Sequence, residues 1–116
     1  MTNIHNSINY IEFPLKENAQ TKQFYSAVFG WVFTDWGPDY ISFSGAQVEG
    51  GFNRESGVLP AAPGVLVVLY SKDLEKTRDD IEQAGGTIKQ AIYAFPGGRR
   101  FHFLDPNGNE LAVWSE

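Results

Sequence analysis

The chain of 116 residues suits one folded domain, and its lack of cysteine excludes disulfides, thiolate nucleophiles and sulfur ligands for a metal. Its formal net charge of -5 works against binding a nucleic acid, because most of that affinity comes from clustered Lys and Arg. No stretch approaches the roughly 18 apolar residues of a membrane span, and residues 1–7 do not resemble an export signal, so we expect a cytoplasmic protein without membrane contact.

Strand and helix patterns alternate in the first half of the chain. Residues 8–15 alternate in polarity, with Ile11 and Phe13 on one face and Tyr10 on the other, which predicts a half-buried strand. Apolar residues at helical spacing follow and stop at Gly30, where we expect a helix to end. Three short strands are then predicted at residues 31–36, 40–44 and 47–53.

The second half predicts the same order of elements. Residues 65–70 form a continuous apolar strand, Asp73 is suited to begin a helix, and Gly85 and Gly86 end it. Three further strands are predicted at residues 87–94, 99–104 and 110–114. The sequence therefore predicts an α+β fold of two βαβββ modules.

A constant spacing supports the repeat. Lys72 lies 56 positions after Lys16, and the same spacing relates Gly86 to Gly30. We place the first module at about residues 8–53, a linker at 54–64 and the second module at about 65–115, within one domain of residues 1–116.

Three segments resemble a known family: FYSAVFGW at residues 24–31, KDLEKTRDDIEQAGG in the second helical region, and DPNGNELAVW at residues 105–114. They are similar to the vicinal oxygen chelate superfamily, also called the glyoxalase/bleomycin-resistance/dioxygenase superfamily. The resemblance implies that the mixed sheets curl into a cup with the helices outside. Catalytic relatives hold a divalent metal there with His, Gln or Glu side chains from four strands, whereas bleomycin-resistance relatives sequester a drug without metal.

The resemblance also implies which positions would carry those metal ligands. They fall on Tyr10, Phe52, Leu66 and Ala112, which cannot supply the three or four N or O donors of a stable divalent site. We therefore expect no metal of the family type and no other cofactor.

Aromatic residues make up 15% of the chain, which favours a lined pocket or an interface. Strand alternation turns one set of side chains toward the cup, and Trp36 beside a Gly-Pro turn is suited to cover its mouth, although a place in the core is the alternative. The predicted ligand-binding residues are Tyr10, Glu12, Trp36, Phe52, Arg54, Leu66, Val68, Arg100, His102, Ala112 and Trp114.

These residues predict a glyoxalase-like protein that binds a partly apolar small molecule without metal, with Arg54 or Arg100 for a polar or anionic group. The alternative is a divergent metal-dependent lyase, isomerase or dioxygenase, in which Glu12, His102 and Glu110 form a displaced metal site or transfer protons. A purely structural role for those three side chains is also open. The family habit of pairing chains predicts a homodimer, and the sequence leaves open whether one chain or two complete the cup.

Overall fold

A computed structural model describes residues 3–6, 8–56 and 65–116. The predicted order of elements is confirmed, and the two helices begin at Asn18 and Leu74, again 56 positions apart. Most of the predicted linker, residues 57–64, lies outside the described residues, and the boundaries of the domain stay a prediction. The elements in chain order are β1 (Tyr10–Pro14), α1 (Asn18–Phe29), β2 (Val32–Asp35), β3 (Tyr40–Ser44), β4 (Glu49–Asn53), β5 (Val67–Tyr70), α2 (Leu74–Gln83), β6 (Thr87–Phe95), β7 (Gly98–Leu104) and β8 (Glu110–Ser115).

Each βαβββ repeat forms its own four-stranded mixed sheet. The strand orders are β1-β4-β3-β2 and β5-β8-β7-β6, which are the same order in the two halves. The first strand of each repeat pairs parallel with the last, and the remaining pairs are antiparallel. The two sheets are separate and do not close into a barrel, so each keeps one face that its own helix does not cover.

The hydrophobic core lies on the helix side of both sheets, and α1 belongs to both halves of it. On one side of this helix the Tyr25 ring lies 5.3 Å from Phe52 of the first sheet. On the other side the Phe24 ring lies 5.9 Å from Phe103 of the second sheet. The core is therefore continuous between the repeats, and burial of these rings stabilises both at once.

The helices begin and end as their sequences predict. Gly30 ends α1 with φ of 74°, a left-handed conformation that a residue without Cβ adopts at little cost. Asp73 begins α2, and its side chain accepts a hydrogen bond from the Lys76 backbone N–H.

The start of α1 is capped by a residue from the other repeat. The side-chain oxygen of Asn107 accepts hydrogen bonds from the backbone N–H groups of Lys16 and Glu17, at 2.6 and 2.9 Å. Asn107 is fully buried in the turn between β7 and β8, where its own backbone N–H donates to Asp105. The DPNGN segment therefore forms the turn between β7 and β8 and also holds the two repeats together.

Asp105 is the centre of that turn. Its carboxylate accepts hydrogen bonds from the Tyr25 hydroxyl at 2.9 Å and from the backbone and side chain of Asn109 at 2.8 and 3.0 Å. Burial raises the pKa of Asp105, while the surrounding donors oppose that rise by favouring the ionised form. The same carboxylate raises the pKa of Tyr25 further, beyond the effect of that side chain's burial.

Candidate functional site

The sheet faces opposite the core are the candidate site. On the first sheet, β1 and β4 pair so that Tyr10 lies opposite Glu49 and Glu12 opposite Gly51, which puts these residues on one face. We call it the first face. On the second sheet, the pairing of β5, β8 and β7 puts one set of residues on the corresponding second face, namely Val68, Tyr70, Arg100, His102, Glu110, Ala112 and Trp114.

The first face carries a cavity of about 500 Å³. Trp36 stands at its edge with 66% of its surface exposed, and its indole Nε1 donates a hydrogen bond to the Ser42 hydroxyl at 2.8 Å. The alternative position for Trp36 in the core is therefore wrong. The cavity is lined by Tyr10, Val32, Thr34, Trp36, Tyr40, Ser42, Phe43, Ser44, Glu49 and Gly50.

Two phenols meet on the floor of this face. The hydroxyls of Tyr10 and Tyr40 form a hydrogen bond above Gly51. A Cβ at position 51 would lie within 3.0 Å of both phenol oxygens, so glycine makes room for the pair. Burial raises the pKa of Tyr40, and hydrogen bonds with Tyr10 and Glu12 raise it further, which keeps this hydroxyl protonated.

Phe52 does not line the cup, contrary to the sequence prediction. It lies opposite Phe13 in the β1–β4 pair, and both rings point into the core, where they stack 5.1 Å apart. The prediction aligned β4 with β8 one residue out of register, and a shift of one residue exchanges the two faces of a strand. The residue on the first face is Gly51, which lies opposite Glu12 as Ala112 lies opposite Val68.

Arg54 is held away from the first face. Its guanidinium donates to the Lys16 carbonyl at 2.8 Å and to the Asn18 side chain, and it forms an ion pair with Asp39 at 3.5 Å. These contacts hold the start of α1 to the loop before β3. Arg54 therefore lacks the free guanidinium that the sequence prediction assigned to a ligand.

The four family-type metal positions, corrected for register, fall on Tyr10, Gly51, Leu66 and Ala112. Their side chains offer one phenol oxygen among them, which does not fit a divalent ion. In the described part of the chain, no group of three or more His, Asp and Glu side chains converges to hold a metal.

The structure separates Glu12 from the other two candidates for a displaced metal site. Glu12 lies on the first sheet, where its carboxylate accepts a hydrogen bond from the Asn53 side chain at 3.2 Å. His102 and Glu110 lie together on the second face, where His102 Nδ1 is 2.9 Å from Glu110 Oε2. Of the three candidates, the structure brings His102 and Glu110 together and leaves Glu12 on the other sheet.

The pair continues into a chain of polar contacts. His102 is only 8% exposed, and its Nε2 lies 3.0 Å from the Tyr93 hydroxyl. Arg100 Nε donates to the same hydroxyl oxygen. Because a carboxylate only accepts hydrogen bonds, Nδ1 of a neutral His102 carries the proton, and Nε2 accepts from Tyr93. We call Glu110, His102, Tyr93 and Arg100 the polar chain.

Tyr93 is the member of the polar chain that the sequence analysis missed. The register of the β6–β7 pair shifts between Gln90 and Tyr93, where a bulge interrupts the ladder. Strict alternation across residues 87–94 gives no sign of this shift. The feature of the sequence that indicates the shift is Gly97, because its turn fixes the register of the hairpin next to Arg100.

Aromatic rings flank the polar chain on the second face. The Trp114 ring lies 5.2 Å from Tyr70 and 6.3 Å from Phe95. The Arg100 guanidinium lies over the rings of Tyr93 and Phe95, at 5.5 and 5.6 Å from their centroids. A planar molecule on this face would meet both rings and polar groups.

The comparisons with known proteins agree with this architecture. The sequence profile of the Glyoxalase/Bleomycin resistance protein/Dioxygenase superfamily matches residues 7–113, and the chain belongs to that superfamily. No curated protein sequence matches it significantly.

Several solved structures share the fold at low sequence identity. A glyoxalase-related enzyme from Fulvimarina pelagi is 16% identical with a TM-score of 0.79, over 96% of this chain and 88% of that one. TnmS3, an antibiotic-binding protein from Streptomyces sp. CB03234, is 20% identical with a TM-score of 0.73, over 97% of this chain and 98% of that one. A superfamily member from Burkholderia phytofirmans PsJN is 17% identical with a TM-score of 0.77, over 93% and 97%.

Neither helix in the described residues has the length and apolar character that crossing a bilayer requires. Both helices have a buried side and an exposed side, as expected for helices that pack on a sheet.

Proposed function

We propose that this protein binds a partly apolar small molecule without a metal ion, in the manner of the drug-sequestering members of its superfamily. The observation that carries the proposal is the cavity of about 500 Å³ on the first face. Its volume lies within the range of about 300–1,000 Å³ that is typical of ligand pockets. Its lining combines rings with a few hydroxyls and includes Tyr10, one of the four family-type metal positions.

The chemistry of the cavity defines the ligand. Trp36 and Tyr10 offer ring surface, and Tyr40 and Ser42 offer hydroxyls that orient a polar group. Glu49 at the same face disfavours an anionic group at that end. The likeness to an antibiotic-binding protein supports a drug-like or metabolite ligand. Cytoplasmic residence and the lack of nucleic-acid partners stay predictions.

Ligand binding can be tested on protein purified with a chelator. A metabolite and drug panel should contain an aromatic compound that raises the thermal stability, and a ligand at 100 times its Kd stabilises by about 2.7 kcal/mol. Trp36→Ala should weaken that compound's binding about fivefold, because one aromatic contact contributes roughly 1 kcal/mol. Isothermal titration measures both affinities.

Val65→Ala is the matched control, because Val65 is 94% exposed and does not line the cavity. The Val65→Ala variant should bind the same compound with the affinity of the unsubstituted protein. The proposal fails if no compound in the panel stabilises the protein, or if binding appears only after a divalent ion is added back.

We further propose that a second copy of the chain covers the open faces. Large side chains on both faces are exposed in one chain, including Val32 and Trp36 on the first and Val68 and Tyr70 on the second. Glu12 and Glu49 make the first face acidic, whereas Arg100 adds a cation to the second. Arg100 can therefore pair with a carboxylate of a facing first face, although Glu110 adds an anion to the second face, and both faces present apolar side chains.

Sedimentation velocity tests the homodimer. The unsubstituted protein should sediment as a dimer at micromolar concentration, and Val68→Lys should shift it to a monomer, because a charge in a covered apolar face is costly to desolvate. Glu82→Lys, at an exposed position of α2, is the control and should leave the dimer intact. A folded protein that stays monomeric at every concentration contradicts this arrangement.

A further inference from the structure

We propose that the polar chain on the second face is a proton-transfer site that binds a planar, weakly acidic hydroxyl compound, a phenol or an enol, and ionises it. The proposal stands on Tyr93, His102, Glu110 and Arg100, none of which lines the first-face cavity. It therefore does not depend on ligand binding by the first face.

Geometry gives each group one role. The Tyr93 hydroxyl donates to His102 Nε2 at 3.0 Å and has an oxygen lone pair for an incoming proton. The Glu110 carboxylate accepts from His102 Nδ1 at 2.9 Å, so it orients the ring and stabilises the imidazolium that forms. Tyr93 is half-buried and reaches the open face, whereas His102 lies behind it with 8% exposure.

The proton transfer conserves atoms and charge without any further reactant. The ligand hydroxyl gives its proton to the Tyr93 oxygen, and the original Tyr93 proton moves to His102 Nε2. The O–H bond of the ligand breaks and its electron pair stays on the oxygen, while one N–H bond forms on the imidazole. A ligand anion and an imidazolium replace two neutral groups, and the protein retains the proton.

Arg100 is placed to hold the resulting anion. Its Nε donates to Tyr93, and in residues 3–6, 8–56 and 65–116 its guanidinium makes no ion pair, so its remaining N–H groups are available within a single chain. Guanidinium groups bind anionic oxygens through charge-assisted hydrogen bonds. The Phe95 and Trp114 rings beside Arg100 favour a planar ligand over an aliphatic alcohol.

The apolar surroundings of His102 strengthen its hydrogen bond with Glu110. Its neighbour across β8 is Ala112, which is fully buried and has no polar side-chain atom. Val68 lies on the far side of Ala112 and is also apolar. These neighbours keep water from competing with the Glu110 carboxylate for the N–H of His102 Nδ1.

The experiment uses 4-nitrophenol, whose ionised form is yellow, at a pH just below the pKa of the free dye. Binding to the whole protein should raise the ratio of ionised to neutral dye about tenfold, the effect expected of one or two charge-assisted hydrogen bonds. In weakly buffered solution the proton should stay on the protein, so the bulk pH should not fall by the amount of phenolate formed.

Two variants test whether the polar chain ionises the dye or whether Arg100 alone does so as a simple cation site. Tyr93→Phe keeps the ring and removes the hydroxyl, so bound dye should lose the increase in yellow absorbance. Glu110→Gln should reduce that increase while circular dichroism stays unchanged, which guards against an effect of unfolding. Glu82→Lys, at an exposed position of α2, is the control and should leave the increase intact.

Three outcomes would overturn the proposal. The first is a protein that does not bind the dye, or binds it without ionising it. The second is equal ionisation by Tyr93→Phe, which would assign the effect to Arg100 alone. The third is release of the proton to solvent in step with the yellow form.

Discussion

Replacing Phe52 with alanine is expected to lower the free energy of unfolding by about 3–5 kcal/mol, the usual cost of deleting a buried phenyl ring. Phe52 is fully buried and contacts Phe13 and Tyr25, at ring-centroid distances of 5.1 and 5.3 Å. The cavity left behind would lie between the first sheet and α1, where the surrounding rings cannot close it. Urea denaturation followed by tryptophan fluorescence measures the loss.

The control for this substitution is Val65→Ala, at a position before β5 that is 94% exposed. Its loss should change the stability by no more than about 0.5 kcal/mol. If Phe52→Ala left the stability unchanged and abolished ligand binding instead, the register of β4 described above would be wrong.

Replacing Asn107 with alanine should cost about 3 kcal/mol, although Asn107 belongs to a turn and to no helix or strand. The substitution leaves the partly buried backbone N–H groups of Lys16 and Glu17 without their acceptor and removes the buried hydrogen bonds of the Asn107 side chain with Thr21 and Asp105, each loss costing about 1 kcal/mol. Thermal unfolding measured by circular dichroism should show one transition at a lower temperature.

Two further variants test this explanation. Asn9→Ala, at an exposed asparagine before β1, should change the stability little. Asn107→Asp keeps an acceptor oxygen at the positive end of α1 and should retain more stability than the alanine variant. If the aspartate variant were as unstable as the alanine variant, the capping contact could not be the main cause.

The local sequence pattern was sufficient to predict most of the fold. Gly30 and Asp73 mark helix ends through backbone conformation and capping, which depend on neighbouring residues alone. Alternation identified Phe13 as buried and Tyr10 as facing the opposite side, because a strand with one packed face imposes a period of two. The repeated spacing then gave the order of the second half.

The candidate site could not be predicted fully, because it depends on contacts between residues far apart in the sequence, which the local sequence pattern does not contain. The β4 register is set by its pairing with β1, so an alignment through Phe43 and Phe103 misplaced Phe52 by one residue. Arg54 follows the end of β4, and the contacts that hold it come from α1 and the loop before β3. Tyr93 reaches His102 only because β6 contains a bulge.

The position of α1 also determines how the two repeats depend on one another. Phe24 completes the packing beneath the second sheet, and Asn107 from the second repeat completes the start of the same helix. A single repeat taken alone would leave an apolar ring in water and a helix start without its cap. The two repeats therefore share an architecture but do not fold independently. A destabilising substitution in either repeat should lower the stability of the whole domain, because both repeats unfold in one cooperative transition.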